Sequence, residues 1–187
     1  HAGRLRQLSL EDCLPVWAKC QRAGIRLLPF GSGDYPARLA DIPDPPVLLY
    51  ATGAAGALKD APVAAIIGSR RPSAYGAQAA RALADALARA GAVVVSGLAD
   101  GLDGEAHKAA LEAGGRTVGF LGCAIDQTYP ASNQPLRARM EVEGQVFSEY
   151  EPGEGGKASC FLQRNRLIAA ASDLVCVAEA RLQSGTM

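Results

Sequence analysis

The chain has 187 residues, of which 49% are hydrophobic and 20% are charged, and its 19 basic residues balance its 19 acidic residues. This length suits one domain with at most a small appendage, and it buries enough surface to fold without a disulfide or a metal. A net charge of zero excludes a polybasic tail but leaves room for a local basic patch. No apolar run reaches the roughly 18 residues of a membrane span. The five cysteines form no CxxC pair, and their odd number favours reduced thiols in the cytoplasm.

Residues 1–40 are predicted to form a partial N-terminal appendage, because they hold one short amphipathic stretch followed by loop-rich sequence. A proline-rich turn at residues 41–46 leads into an apolar run at residues 47–50, which predicts an edge strand. The main domain is predicted to cover residues 41–187 and to be incomplete at its carboxyl end.

Five apolar runs of strand length alternate with helical patterns from residue 61 onward. Strands without polar alternation are covered on both faces, which is typical of a parallel sheet. We therefore predict an α/β fold with a Rossmann-like, doubly wound and mostly parallel sheet. The predicted strands cover residues 63–67, 92–95, 117–121, 145–147 and 174–178, and the predicted helices cover residues 75–89, 104–113, 135–142 and 161–171.

Glycines and polar residues follow each predicted strand at the point where it ends. Because the carboxyl ends of parallel strands meet at one edge of a sheet, these residues are expected to converge on one ligand crevice. In strand order they are Gly68-Ser69-Arg70, Ser96-Gly97, Gly122, Ser148-Glu149 and Glu179.

The segment after the first strand has the features of a phosphate site. Gly68 allows a close approach, Arg70 offers a two-pronged donor, and the helix that starts near Ser73 presents free N–H groups. A tight turn with a solvated arginine is the alternative.

Residues 161–166 read Phe-Leu-Gln-Arg-Asn-Arg and are predicted to open the last helix. Arginines in a first turn oppose the helix dipole, so either a bound anion compensates them or they pair with carboxylates such as Glu149 or Glu179. Phe161 either stacks on a nucleic-acid base, as aromatic residues beside arginine do, or belongs to the core.

The sequence offers weak support for catalysis. Asp103 and His107 are four residues apart, so they either pair as an orienting group and a base or form a helix N-terminal carboxylate bonded to a supporting histidine. No dinucleotide-binding fingerprint follows the first strand, and no Walker lysine motif or metal-ligand spacing occurs. We predict no catalytic residues, no metal and no cofactor.

Taken together and in this order, these segments resemble the DNA-processing protein A family (DprA, also called Smf). The resemblance covers roughly residues 35–187. The segments that carry it are residues 68–70, 96–107, 126–133, 148–149 and 161–166, and Glu179 with residues 184–186.

The resemblance implies a Rossmann-like domain that binds single-stranded DNA, protects incoming strands in natural transformation and helps load the RecA recombinase. It also implies homodimers joined through the carboxyl-terminal part of the domain, and a protein not established as an enzyme. The implied DNA-binding and phosphate-binding residues are Gly68, Ser69, Arg70, Ser96, Gly97, Phe161, Arg164 and Asn165. Ala131 stands where the family often has a lysine, and Lys157, on a glycine-rich loop, is predicted to supply that charge.

The alternative is a nucleoside 5′-monophosphate phosphoribohydrolase of the lysine-decarboxylase-like fold family, which shares a Gly-Ser-Arg-like phosphate turn. That family carries a Pro-Gly-Gly-x-Gly-Thr-x-x-Glu motif whose glutamate performs the chemistry. Residues 178–186 lack the Pro-Gly-Gly, and this favours the DNA-binding prediction.

Overall fold

The computed structural model describes residues 10–154 and 156–181, which form one seven-stranded sheet with helices on both faces. The strands are β1 (Arg26–Pro29), β2 (Leu48–Gly53), β3 (Val63–Gly68), β4 (Val93–Ser96), β5 (Thr117–Leu121), β6 (Gln145–Ser148) and β7 (Leu174–Glu179). The helices are α1 (Leu10–Arg22), α2 (Ala74–Arg89), α3 (Leu102–Glu112), α4 (Gln134–Glu143) and α5 (Ala158–Ala171).

The strand order is β1-β2-β6-β5-β4-β3-β7, and the five strands β3 to β7 are parallel. This confirms the predicted Rossmann-like, mostly parallel sheet. From β3 the chain steps outward through β4 and β5 to β6, and it then returns to place β7 on the other side of β3. The direction of winding reverses between β3 and β7, and open α/β sheets bind ligands at such a reversal.

The helices cover the two faces of the sheet unequally. α5 packs on one face of the sheet, where Leu49 of β2, Phe147 of β6 and Leu167 of α5 belong to one buried cluster. Helices α2 and α3 pack on the other face through small buried residues, among them Ala84 and Ala106. Alanine and glycine at these contacts let the helices approach each other and the sheet closely.

The N-terminal region contributes more to the sheet than the sequence predicts. β1 pairs antiparallel with β2, and β2 pairs antiparallel with β6. Within the described residues the edge strand on this side is therefore β1, and the predicted edge strand at residues 47–50 is the second strand from the edge. The apolar run that forms β1 is too short to be distinguished by pattern, and its pairing with β2 decides its conformation. The domain division at residue 40 stays a prediction.

The last helix begins at Ala158, three residues before the predicted start. Arg164 and Arg166 consequently lie beyond the first turn, where the field of the helix terminus has largely decayed. The expectation that these arginines oppose the helix dipole is therefore wrong, and the reason for their position lies in tertiary contacts.

Candidate functional site

A cleft of about 480 Å³ lies at the reversal point, above the carboxyl ends of β3 and β7. Six of the nine predicted site residues line it, which places residues from distant parts of the chain around one space. The lining consists of Ile67, Gly68, Ser69, Arg70, Arg71, Ala99, Asp103, Ala158, Phe161, Leu162, Arg164, Asn165, Ile168, Ala169, Val175 and Arg181.

The charge of the cleft is mainly positive although the chain as a whole is neutral. Its charged lining residues are four arginines and one aspartate. Arg70, Arg71 and Arg181 are exposed at its surface, whereas Arg164 and Asp103 are buried. The exposed guanidinium groups offer planar, two-pronged donors that match the oxygens of a phosphate.

The loop after β3 is fixed by backbone hydrogen bonds to its neighbours. Ser69 N–H donates to the Glu179 carbonyl at 2.8 Å, and the Ser69 carbonyl accepts from Leu102 N–H at 3.1 Å. A Cβ on Gly68 would collide with the Leu102 side chain and would lie 2.6 Å from the Glu179 carbonyl oxygen. Glycine is therefore required at position 68 for packing against β7 and α3, whatever the ligand.

The N-terminus of α2 holds a carboxylate of the protein itself. Glu179 accepts hydrogen bonds from Ser73 N–H at 3.0 and 3.2 Å and from the Ser73 hydroxyl. The hydroxyl bond lowers the pKa of the Glu179 carboxyl, and a Cβ on Gly76 would collide with that carboxylate. The predicted phosphate position at this helix terminus thus holds Glu179, and Ser69, Arg70 and Arg71 line the same side of the cleft.

The floor of the cleft is built on Arg164, which is 4% exposed. Its Nη1 donates to the Gly97 carbonyl at 2.7 Å and to the Phe120 carbonyl. Asp103 accepts from Gly97 N–H at 3.2 Å, and its charge counters that of Arg164. Burial lowers the pKa of Arg164 and raises the pKa of Asp103, because both charged forms have lost water. Arg164 therefore joins α5 to β4 and β5.

The predicted carboxylate pairing holds for one of the two arginines. Arg166 Nη2 lies 2.6 Å from Glu149 Oε1, and its Nε lies 3.5 Å from Asp44. Arg164 pairs with neither Glu149 nor Glu179, because its guanidinium points into the floor beside Asp103.

Two predicted contact residues lie beneath the lining. Ser96 is fully buried and its hydroxyl donates to the Ile66 carbonyl at 2.6 Å. A Cβ on Gly97 would lie 2.6 Å from the guanidinium carbon of Arg164. The geometry gives Ser96 and Gly97 a part in supporting the floor rather than in touching a ligand. Lys157 is exposed at the N-cap of α5, one residue before Ala158 of the lining.

An aromatic pair stands beside the arginines. The Arg70 guanidinium lies over the Phe161 ring at 5.5 Å from the ring centroid, and the Tyr129 ring centroid is 5.1 Å from that of Phe161. Residue-based reasoning missed Tyr129 as a site residue. It lies within residues 126–133, a segment that carried the family resemblance, and that segment was the available signal.

Asp103 and His107 form neither of the expected relations. His107 is fully buried, and its Nδ1 lies 2.6 Å from Thr117 Oγ1, which donates its proton to the Val94 carbonyl at 2.7 Å. The hydroxyl can then only accept from the ring, so His107 carries its proton on Nδ1. Burial, reinforced by the charge of Arg164, lowers the pKa of His107 to about 3.

Within the described ranges, His, Cys, Asp and Glu side chains form no group of three that could hold a metal ion. The helices of the same ranges include none that is both long and apolar enough to cross a membrane.

Comparison with known proteins gives one consistent family. Residues 26–187 match the family model of DNA recombination-mediator protein A. The chain is 36% identical over 172 residues to the DNA processing protein DprA of Bacillus subtilis, with 92% of this chain covered. It is 41% identical over 153 residues to DprA of Streptococcus pneumoniae, with 82% of this chain covered.

Two solved structures share the fold. The X-ray structure of DprA from Streptococcus pneumoniae superposes with a TM-score of 0.88 at 36% identity, covering 98% of this chain and 62% of that one. DNA processing protein A from Helicobacter pylori, described for its single-stranded DNA binding mode, superposes with a TM-score of 0.79 at 36% identity, covering 87% and 72%. The chain spans 58% of the length of the Bacillus subtilis protein and 54% of that of the Streptococcus pneumoniae protein.

We predict that His107 stays neutral in the folded protein down to about pH 3, against an ordinary pKa of 6.5. Below pH 6.5 the His107 imidazole binds a proton in the unfolded chain but not in the native state. His107 therefore lowers the free energy of unfolding by up to about 1.4 kcal/mol per pH unit as the pH falls below 6.5. NMR titration of the imidazole signals checks the first statement, and His1→Ala assigns the other of the two histidines.

Denaturant unfolding of the wild type and of His107→Gln at several pH values checks the second statement. The carboxylates titrate in both proteins, so the difference between their free energies of unfolding reports the protonation of His107 alone. A His107 signal that titrates near pH 6.5 would contradict both.

Proposed function

Because the chain belongs to the DNA recombination-mediator protein A family, we propose that it binds single-stranded DNA and acts as a recombination mediator in natural transformation. The observation that carries the proposal is the cleft, where exposed arginines adjoin the Phe161–Tyr129 ring pair. Phosphate donors beside aromatic faces suit a strand whose bases are unpaired.

The preference for single strands follows from the guanidinium groups and aromatic rings of the cleft. Guanidinium groups contact phosphates without regard to sequence, and ring faces stack on any base that is not already paired. Arg70 lies in contact with Phe161, so the phosphate donor and the aromatic pair can act on the same or neighbouring nucleotides. The similar Helicobacter pylori protein was described for its single-stranded DNA binding mode, which supports this assignment.

The proposal includes the contacts of the remaining predicted residues. Ser69 and Asn165 contribute polar groups at the cleft surface, and Lys157 adds a positive charge near the start of α5. Gly68 keeps the loop in place, and Arg164 holds the floor beneath the strand. A mediator transfers its strand to a recombinase, so we include RecA as the partner. We also include the protection of incoming DNA as a role and the cytoplasm as the compartment.

The proposal also includes a homodimer. β7 is an edge strand among the described residues, and Leu174, Val175 and Val177 are 54%, 42% and 47% exposed. An apolar edge of this kind favours pairing with a second copy across a two-fold axis. Two linked clefts would turn the second contact with one strand into an intramolecular one.

Catalysis is not part of the proposal. The chain lacks the Pro-Gly-Gly of the alternative hydrolase, and the Glu179 carboxylate is bonded to the N–H and hydroxyl of Ser73. The Asp103 and His107 side chains are both buried and bonded to other groups.

We expect the protein to bind single strands more tightly than duplexes, with little sequence preference. Each neutralised phosphate adds roughly 0.7 to the slope of log affinity against log salt concentration. Fluorescence-anisotropy titrations with labelled single strands and matched duplexes at several salt concentrations measure both quantities.

Equal affinity for duplex and single strand would contradict the proposal. A parallel incubation with a nucleoside monophosphate tests the alternative, since steady release of free base that Glu179→Gln abolishes would establish the hydrolase.

We expect Arg70→Ala to weaken single-strand binding by about 1.5–3 kcal/mol, because it removes a charge-assisted hydrogen bond to phosphate. The salt slope should fall by roughly 0.7. Arg89→Ala is the matched control: it removes the same charge at the far end of α2, where Arg89 pairs with Asp85 at 2.9 Å. If Arg89→Ala weakens binding as much as Arg70→Ala, net charge rather than the cleft governs affinity.

Light scattering at micromolar concentration should give twice the chain mass. Leu174→Lys with Val177→Lys should give the monomer mass and weaken binding to long strands more than to short ones, because avidity of ~10²–10⁴ is lost. A monomeric wild type that binds long strands with undiminished affinity would remove the dimer from the proposal.

A further inference from the structure

We infer that Tyr129, outside the cleft itself, provides the ring on which an unpaired base of the bound strand stacks, and that Phe161 supports it. The inference extends the path of the strand from the arginines of the cleft to the loop after β5. It rests on the proposed single-stranded DNA binding.

The ring of Phe161 is partly covered by neighbouring groups of the protein. Arg70 lies over it at 5.5 Å from its centroid, and Tyr129 lies 5.1 Å away with the ring planes inclined by 50°. A Cβ on Gly122 would lie 2.7 Å from Phe161 Cδ1, so the backbone of Gly122 also covers this side chain. Phe161 is therefore packed on several sides and is half-buried in the cleft lining.

Tyr129 is more exposed than Phe161. Its side chain is 53% exposed although it already contacts Phe161, which covers part of one side of the ring. An exposed aromatic ring, backed by a second ring that a guanidinium covers, is an arrangement suited to single-strand binding, because bases stack on the free face. Both Arg70 and Tyr129 lie within 5.5 Å of the Phe161 centroid. One phosphate can therefore meet Arg70 while an adjacent base reaches Tyr129.

Hydrogen bonds fix the loop that carries Tyr129 on both sides of that residue. On the preceding side, Arg137 is 5% exposed and donates to the carbonyls of Ile125 and Gln127. The guanidinium is itself fixed by Glu141, which accepts from Nε at 3.0 Å.

On the following side, Asn133 Nδ2 donates to the carbonyls of Leu98 and Ala99, each at 3.0 Å. Buried hydrogen bonds at both ends of an exposed loop fix the position of the ring before any ligand arrives. Preorganisation of this kind lowers the ordering cost of binding, which suits a ring that receives a base.

The experiment compares intact strands with strands that carry an abasic site at each position in turn, for the wild type and Tyr129→Ala. Tyr129→Ala should weaken binding of the intact strand by ~5- to 150-fold, the range for loss of one base stack. Its salt slope should equal that of the wild type, because no phosphate contact is lost. At one abasic position the two proteins should bind equally, and Tyr129→Phe should restore binding of the intact strand.

A fluorescent purine analogue at that position gives a second measurement, since its emission falls on stacking. The wild type should quench it, and Tyr129→Ala should not. Tyr75→Ala is the matched control, because Tyr75 is 78% exposed and lies outside the cleft lining. Phe161→Leu keeps apolar bulk against Gly122 and should weaken binding less than Tyr129→Ala.

The inference is overturned if Tyr129→Ala binds the intact strand as the wild type does, or if Phe161→Leu alone abolishes the quenching. A wild type that binds no single strand at all, with or without an abasic site, instead refutes the proposed function from which the inference starts.

Discussion

The buried guanidinium of Arg164 is the charge on which the cleft depends. A cation at 4% exposure has lost its water, and it persists only where carbonyl oxygens and a carboxylate replace that water. The Gly97 and Phe120 carbonyls and the charge of Asp103 provide this replacement. These partners lie at the ends of β4 and β5 and in the first turn of α3. The contacts that compensate the charge of Arg164 thus bring β4, β5 and α3 together with α5.

The glycines of the site follow from that constraint. The guanidinium lies against Gly97, and the start of α5 lies against Gly122, at distances that leave no room for a Cβ. Since α5 also carries Phe161, its tight seating on the carboxyl ends of the strands places that ring beside Arg70. Gly97, which the resemblance implies for a phosphate site, and Gly122 thus serve the approach of one protein segment to another. The surface available to a ligand is formed by the side chains above them.

The sequence was sufficient to predict the five parallel strands, the four helices that connect them and the edge at which their polar ends meet. Buried strands leave long apolar runs, and parallel strands carry their ends to one edge by geometry. The roles within the site were less predictable. Glu179 caps α2 through Ser73, 106 residues away in the chain, and Ser96 turns its hydroxyl inward to Ile66. Such side-chain directions are decided by contacts between distant segments, which neither spacing nor propensity encodes.

The chain departs from the family pattern at Ala131, where the family often has a lysine. That residue opens the short 3-10 turn of residues Ala131–Asn133, two positions after Tyr129. A lysine there would place a positive charge on the tyrosine side of the aromatic pair. Lys157 is the exposed N-cap of α5, the helix that carries Phe161. Its side chain therefore adds a positive charge at the start of that helix. A strand whose base lies on Tyr129 would still pass between rings and cations, with its phosphates held from the side of α5.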